Sequence, residues 1–136
     1  MQGDCFVDTN IWVYAHLDDP NEPRSLRAWD FINSLTKPII SSQVIAEYYN
    51  VMLRHEQDED RIQRNAARML RACKMQPLNL AVVHRALAVR KRYGFSIWDS
   101  QIVAAALEAG CATLYTEDLQ EGQIIDGLTV RNPLRI

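Results

Sequence analysis

Cysteine and histidine are scarce in this sequence, with three of each among 136 residues. The cysteines are odd in number, far apart and without a C-x-x-C pair, which argues against a disulfide framework and for a reducing, cytoplasmic setting. The histidines do not fall at zinc-ligand spacing with one another or with the cysteines, so no structural zinc site is expected. The six positions are Cys5, Cys73, Cys111, His16, His55 and His84.

Long apolar runs and a strong positive charge are also missing. No run approaches the roughly 20 residues that cross a bilayer, and the first residues, M-Q-G-D-C, lack the basic and apolar regions of a signal peptide. We therefore expect no membrane association. The net charge of −2 gives no overall basic field for nucleic acid. Carboxylates that converge on divalent cations would still attract phosphate locally.

The composition, 48% hydrophobic and 24% charged, fits one soluble domain over residues 1–136 with a single core. Short apolar stretches alternate with helical patterns. Strands are predicted at residues 5–7, 39–40, 112–116 and 129–131, with a short edge strand at 77–78. This alternation predicts an α/β sandwich in which helices flank a central, mostly parallel sheet of four to five short strands.

Helix boundaries follow from capping residues and glycines. Ser41 or Ser42 is predicted to cap a helix that runs to residue 54, and Asn79 one that ends at Gly94. Further helices are predicted at 11–16, around 26–35, within 58–75 and at 98–109. Apolar residues mark the inner faces of two of them: Leu26, Trp29, Phe31, Ile32 and Leu35 in one, and Ile62, Ala66, Met69, Leu70 and Cys73 in the other.

Four acidic residues follow strands or open helices in this scheme. Asp8 comes after the first strand, Glu47 lies on the helix entered from the second, Asp99 opens the helix after S-I-W, and Asp118 follows the strand that ends near Thr116. Ligands of open parallel sheets gather beyond the carboxyl ends of the strands. The four carboxylates are therefore expected at one end of the sheet.

Three of these acids also have a purely structural interpretation. Asp8 could cap the helix that follows it. Asp99 completes an S-x-x-D capping box with Ser96, a role compatible with facing a site at the same time. Asp118 could be an ordinary turn acid, and Glu117 competes for the role given to it.

Glu47 is the hardest of the four to explain structurally. It shares a helical face with Val44 and Val51, and a carboxylate on such a face is costly to bury without a partner. No Lys or Arg occurs between residues 39 and 53, so a partner would come from elsewhere, and a metal ion would serve. An exposed Glu47 at the edge of the apolar face is the alternative.

Converging carboxylates repel, and one takes up a proton unless cations neutralise them. Oxygen ligands without His or Cys indicate Mg²⁺ or Mn²⁺. The chemistry that suits such a cluster is metal-assisted hydrolysis of a phosphodiester.

Four segments in this order resemble the PIN-domain ribonucleases: D-T-N-I at 8–11, the mid-chain Glu47, S-x-W-D at 96–99 and T-E-D-L at 116–119. The segment L-Q-E-G-Q-I-I-D-G-L-T-V-R-N-P-L at 119–134 is similar to the C-terminal signature of the VapC-type toxins within that family. The resemblance spans essentially the whole chain. Where the family often ends N-P-F, this chain has N-P-L at 132–134, a difference that concerns packing.

The resemblance implies a PIN-like three-layer sandwich and a Mg²⁺- or Mn²⁺-dependent endoribonuclease. It assigns catalytic and metal-binding roles to Asp8, Glu47, Asp99 and Asp118, of which Asp8 and Asp99 are the most direct ligands. Three neighbouring residues would orient these carboxylates; they are Asn10, Ser96 and Thr116.

The resemblance also implies a biological setting. The protein would be the toxin of a type II toxin–antitoxin system, inhibiting translation and growth until a VapB-type antitoxin neutralises it. Family members typically form homodimers, sometimes within larger toxin–antitoxin assemblies. They receive an antitoxin segment along a groove near the site, where an antitoxin arginine would suit the acidic pocket.

Other interpretations stay open at this stage. Arg90, Lys91 and Arg92 could contact the RNA backbone or form a solvated helix end. A catalytically silent PIN-like binding module is one alternative function, and retention of all four acids favours the enzyme over it. A metal-dependent phosphatase is another, but its D-x-D and lysine signals are absent.

Overall fold

A computed structural model describes residues 4–17 and 19–135, in which six helices flank a six-stranded sheet. The strands are β1 (Cys5–Val7), β2 (Ile39–Ser41), β3 (Lys74–Gln76), β4 (Thr113–Tyr115), β5 (Ile124–Ile125) and β6 (Leu128–Arg131). The helices are α1 (Thr9–Leu17), α2 (Pro23–Ser34), α3 (Ser42–Arg54), α4 (Glu59–Ala72), α5 (Leu80–Tyr93) and α6 (Ile97–Glu108). The predicted α/β fold class is confirmed.

The sheet has the order β3-β2-β1-β4-β6-β5, and only the β5–β6 pair is antiparallel. The chain starts at β1, moves outward through β2 and β3, and then returns to place β4 on the other side of β1. The direction of winding therefore reverses between β1 and β4. Crevices at such a reversal are where open α/β sheets bind ligands.

The core lies on the two central strands and the helices packed against them. Phe6 and Leu114, from β1 and β4, are fully buried. Helix α6 is also deeply buried, because its sequence I-V-A-A-A presents apolar residues on several sides. Within the described residues, the structure has no helix of the length and hydropathy that a membrane crossing requires.

Capping residues set the helix ends much as the sequence predicts. The Ser41 hydroxyl accepts a hydrogen bond from the Val44 N–H at 3.3 Å, and the Asn79 side chain accepts one from the Val82 N–H at 3.0 Å. Gly94 ends α5 with a φ of +78°, a conformation that side chains disfavour.

The sheet extends further at both edges than the sequence indicates. Residues 74–76, predicted to continue a helix, instead form β3, which pairs in parallel with β2. The predicted strand at 77–78 is wrong, because the chain leaves the sheet there. β5 was not predicted, so the sheet has six strands rather than four to five. β3 depends on pairing with the distant β2, which local periodicity does not report. β5 instead pairs with β6 across the two-residue turn Asp126–Gly127, and this D-G hairpin signal was overlooked in the sequence.

Three apolar residues assigned to inner helical faces are exposed: Leu26 (68%), Trp29 (43%) and Leu70 (51%). Helix α2 is buried through the small residues Ser25 and Ala28 instead. Small residues allow close helix approach but carry little hydrophobic signal, so the pattern missed these two positions. It was wrong at Leu26 and Trp29, whereas Phe31, Ile32 and Leu35 pack against the core as predicted.

Candidate active site

Asp8 lies directly beyond β1, at the reversal between β1 and β4. Its N–H donates to the carbonyl oxygen of Tyr115 at 2.9 Å, which extends the parallel pairing of the two strands by one step. Only 4% of the residue is exposed. The backbone ladder therefore holds an acidic side chain inside the carboxyl-end crevice.

Both oxygens of the Asp8 carboxylate accept hydrogen bonds. Oδ1 accepts from the Thr9 N–H at 2.7 Å, and Oδ2 accepts from the Thr116 hydroxyl at 2.8 Å. The Thr116 hydroxyl in turn accepts from the Asp118 N–H at 3.1 Å. Thr116 thus orients one acid directly and holds the backbone of another.

The charge of Asp8 is nevertheless disfavoured. Burial raises the pKa of its carboxyl from 3.8 to about 7, against the opposing effect of the hydrogen bonds from Thr9 and Thr116. The negative charges of Asp118 and Glu47 contribute to the same rise. Two neighbouring acids therefore add to a desolvation cost that a cation would relieve.

Glu47 faces the same crevice from α3 and is half-buried. Its Oε2 accepts from the Thr9 hydroxyl at 2.9 Å and its Oε1 from the Gln43 amide at 2.7 Å. Gln43 also donates to the Trp98 carbonyl at 3.2 Å, and Gln101 donates to the Gln43 Oε1 at 2.7 Å. Neutral donors therefore orient Glu47 without cancelling its charge.

Asp99 opens α6 as the capping-box pattern predicts. The Ser96 hydroxyl accepts from the Asp99 N–H at 3.0 Å. Burial raises the pKa of the Asp99 carboxyl, the hydrogen bond with Ser96 lowers it in part, and the charge of Glu47 raises it. Ser96 therefore caps the helix through the Asp99 N–H, while the Asp99 carboxyl lies close enough to Glu47 for the two charges to interact.

Asp118 completes the group from the loop after β4. Its residue is exposed overall, but partial desolvation of the carboxyl raises its pKa, and so do the charges of Asp99, Glu117 and Glu47. The acids of the predicted quartet thus act on one another, although they come from four separate segments.

Glu117 and Asn10 occupy a different position from the one expected. Glu117 Oε1 accepts from the Asn10 amide and from the Tyr14 hydroxyl, each at 3.1 Å, and its Oε2 lies 3.6 Å from Arg24 Nη1. Glu117 is therefore held by an ion pair and two hydrogen bonds, whereas no ion pair with a described residue holds Asp118. Asn10 orients Glu117 and not one of the four acids.

The three basic residues at the end of α5 serve mainly within the chain. Arg90 donates to the carbonyl oxygens of Gly94 at 2.9 Å and Phe95 at 2.6 Å. Arg92 lies 3.5 Å from Asp126. Lys91 is exposed and makes no side-chain hydrogen bond or ion pair with any described residue. RNA contact by this segment stays a prediction, and Lys91 is the residue best placed for it.

The donor chemistry of the four acids fits a hard divalent cation, because all are carboxylates and the buried Asp8 lacks a compensating positive charge. As placed, however, no three Asp, Glu, His or Cys side chains of the described residues converge tightly enough to enclose an ion. Mg²⁺ usually keeps several waters and binds through one or two carboxylates. A cation here would accordingly take part of its coordination from water.

Sequence reasoning missed the donors that hold Glu47. Thr9 stands beside Asp8 in the D-T-N motif, and its hydroxyl links the first strand to α3. Gln43 lies four residues before Glu47, which is one helical turn, so this pair was detectable from spacing alone. Gln101 was not detectable, because it approaches only through the packing of α6.

A mostly parallel α/β sheet with acidic side chains gathered at its winding reversal is the class of protein that the fold and the site define. The sequence matches the family model of the PIN domain over residues 5–120, and the chain belongs to this family. A search of curated proteins found no match.

Several solved structures share the fold at 19% sequence identity. A toxin–antitoxin complex from Klebsiella pneumoniae superposes with a TM-score of 0.74, covering 98% of this chain and 100% of that chain. VapC20 of Mycobacterium tuberculosis, described as a sarcin–ricin loop cleaving toxin, gives 0.70 over 85% and 90%. VapBC2 of Rickettsia felis, bound to a promoter DNA fragment, gives 0.70 over 94% and 97%. At this identity the likeness establishes a common fold.

Proposed function

We propose that this protein is a Mg²⁺- or Mn²⁺-dependent endoribonuclease and the toxin of a type II toxin–antitoxin system. The observation that carries the enzymatic part is Asp8, a carboxylate held in the crevice while burial and two neighbouring acids oppose its charge. A purely structural position would be better served by a neutral side chain. Membership of the PIN family and the retention of four acids support the same conclusion.

Some residues of the site would bind the cation, and others orient the carboxylates that bind it. Asp8 and Asp99 would be the most direct cation ligands, while Glu47 and Asp118 would bind directly or through water. Thr9 and Thr116 fix the Asp8 carboxylate by the two hydrogen bonds described above. Gln43 and Thr9 hold both oxygens of Glu47. A bound cation would supply Lewis-acid activation of water and stabilise charge on the phosphorus oxygens.

Substitution of the two most direct ligands tests this assignment. Asp8→Asn and Asp99→Asn should each lower RNA cleavage by at least about a hundredfold, the range of losses seen when a key catalytic group is removed. The measurement is cleavage of cellular RNA by the purified chain, with the ends sequenced, in Mg²⁺, Mn²⁺ or EDTA. Calorimetric titration with Mn²⁺ gives a second readout that does not depend on turnover.

Asp30→Asn is the matched control, because Asp30 is exposed on α2 and makes no side-chain hydrogen bond or ion pair with any described residue. It should cleave RNA and bind Mn²⁺ like the unmodified chain. Full activity from folded Asp8→Asn protein, or undiminished cleavage in EDTA, would contradict the metal-dependent mechanism. Binding of RNA without any cleavage would favour the silent binding module.

The toxin assignment rests on the shared fold with the VapC and toxin–antitoxin structures and on the C-terminal sequence signature. Expression of the chain alone should arrest growth and inhibit translation, and co-expression of a VapB-type antitoxin encoded beside it should restore both. The three cysteines are free thiols, in keeping with action in the reducing cytoplasm. Growth unaffected by expression of an active nuclease would refute the toxin role.

A homodimer is the expected assembly. Helix α5 exposes an apolar row with i, i+3, i+7 spacing, namely Leu80 (73%), Val83 (39%) and Leu87 (56%). Three apolar side chains exposed along one face of a helix offer a surface for a second copy of the chain. Sedimentation equilibrium of the chain and of a Leu80→Glu, Leu87→Glu variant tests it, since the variant should dissociate.

A further inference from the structure

A groove of about 550 Å³ lies between α1 and α3, beside the acid cluster. Asn10 lines the end nearest the acids, where it donates to Glu117, the neighbour of Asp118 in the chain. Val51 lines it from α3, one helical turn beyond Glu47. This α1–α3 groove therefore begins where the acid cluster ends.

The α1–α3 groove is lined by both aliphatic and polar side chains. The aliphatic residues, called the floor, are Val13 and Leu17 at i, i+4 spacing on α1 and Val51 on α3. The polar residues, called the rim, include Asp19, Glu22 and Gln57. A flat molecule with apolar faces and a polar edge matches this division.

The charge of the rim disfavours a phosphate. Arg24 is the one Lys or Arg among the lining residues of the described chain. Its guanidinium lies 2.8 Å from Glu22 and 3.6 Å from Glu117, so its charge is already matched. It also covers the Tyr14 ring at 4.2 Å. Glu22 is matched by Arg24 in turn, so Asp19 is the rim carboxylate whose charge disfavours a phosphate. Rim carboxylates accept hydrogen bonds from the N–H groups of a neutral base, as Asp and Glu do from cytosine.

We propose that the α1–α3 groove binds one unpaired nucleobase of the RNA strand, next to the bond that the acid cluster cleaves. The base lies on the aliphatic floor and presents its N–H donors to the carboxylates of the rim. Unpaired bases splayed out of a strand are the usual target of sequence-specific RNA recognition. The proposal rests on the ribonuclease function proposed above, and it makes the groove the source of sequence preference beside the cut.

Filling the groove tests the proposal. Val51→Phe places a ring among the aliphatic residues of the groove and replaces none of the four acids. Sequenced cleavage ends from the unmodified chain should show a base preference at one position beside the cut. Val51→Phe should lose that preference and cleave about tenfold more slowly, the effect of losing one base contact. Ile124→Phe, on the exposed edge strand β5, is the matched control and should change neither.

A binding measurement separates this proposal from the proposed function. Adenosine, guanosine, cytidine and uridine are titrated into Asp99→Asn protein, followed by NMR shifts of groove residues, and the same is done in the Val51→Phe background. Nucleoside binding that Val51→Phe abolishes, with no cleavage by the unmodified chain, would refute the ribonuclease and leave the groove as a base site. Cleavage without base preference, and without nucleoside binding, would refute the groove and leave the ribonuclease.

Two further outcomes also decide whether the groove binds a nucleobase. If Val51→Phe leaves RNA cleavage unchanged but abolishes binding of a protein partner, the groove is a protein-docking site and the proposal is wrong. If thermal unfolding shows that Val51→Phe does not fold, Val51→Ala takes its place: a wider floor should broaden the base preference, and an unchanged preference overturns the proposal.

Discussion

Helix α1 has a buried ionisable side chain at each end, and the two are stabilised in opposite ways. Asp8, just before the helix, lies among other acids, and burial together with their charges raises its pKa to about 7. His16, near the last turn, lies among cations. Burial, together with the charges of Arg61 and Arg68, lowers its pKa to about 4. Both environments oppose the charged form.

The two ends of α1 differ in the hydrogen-bond partners that they offer to the buried side chain. His16 Nδ1 and the Tyr48 hydroxyl lie 2.6 Å apart, so an uncharged imidazole has its partner inside the protein. The donors around Asp8, by contrast, come from Thr9 and Thr116 and are suited to a carboxylate. The His16 end is complete as a core contact. The Asp8 end orients a carboxylate whose charge no Lys or Arg of the described residues neutralises, which is typical of a binding site.

The largest expected effect is on the metal-free protein at high pH. The pKa of Asp8 is higher in the folded than in the unfolded chain, so its contribution to stability is fully present below pH 3.8 and is lost as the pH rises through about 7. Asp8→Asn does not carry this penalty. In EDTA at pH 8 it should therefore be more stable than the unmodified chain, by up to about 4 kcal/mol.

Urea unfolding of both proteins at pH 4 and pH 8 measures this difference, which should nearly vanish at pH 4. Mn²⁺ should stabilise the unmodified chain at pH 8 and leave Asp8→Asn unchanged, because a ligand stabilises only the folded state that binds it. If Asp8→Asn is less stable than the unmodified chain at pH 8 in EDTA, Asp8 is a structural cap and the contrast with His16 fails.

At the other end of α1, where His16 lies, low pH should destabilise the protein. The pKa of His16 is lower in the folded chain than its ordinary 6.5, so its contribution is present above pH 6.5 and is lost as the pH falls through about 4. The loss should approach about 3 kcal/mol. His16→Gln should remove this part of the pH dependence, as measured by urea unfolding between pH 7 and pH 4.

His84→Gln is the control, since His84 is exposed on α5 and should leave the pH profile unchanged. A His16→Gln profile parallel to that of the unmodified chain would show that His16 takes up its proton equally in the folded and unfolded states. The two ends of α1 would then differ less than the structure indicates.

The two ends also differ in how far the sequence predicted them. Asp8 was found because it follows a strand in a polar motif, and strand ends concentrate ligands. His16 offered no such signal: its partner Tyr48 is 32 residues away. The same limit explains β3, whose residues continue a helical pattern until pairing with β2 draws them into the sheet.

Local signals therefore predicted elements and individual acids better than contacts between segments. Caps at Ser41 and Asn79 and the glycine at 94 predicted three helix boundaries, because each acts on its own turn. Glu117 shows the limit. Its neighbour Asp118 has the same local pattern, and the two acids differ only through contacts from other segments: Arg24 from α2, and Asn10 and Tyr14 from α1, approach Glu117.

The smallest effects come from removing one hydroxyl at each end. Thr9→Val removes the donor to Glu47 Oε2 and should lower RNA cleavage about tenfold while changing stability by less than about 1 kcal/mol. Tyr48→Phe leaves the buried His16 Nδ1 without its partner and should cost about 1–3 kcal/mol of stability while leaving cleavage by the folded protein unchanged. Urea unfolding and cleavage rates, measured on both variants, give the loss of stability and the loss of activity for each. A site at one end of α1 and a core contact at the other require Thr9→Val to lose mainly activity and Tyr48→Phe to lose mainly stability. Equal losses of activity and stability in both variants would mean that α1 is a uniform structural element.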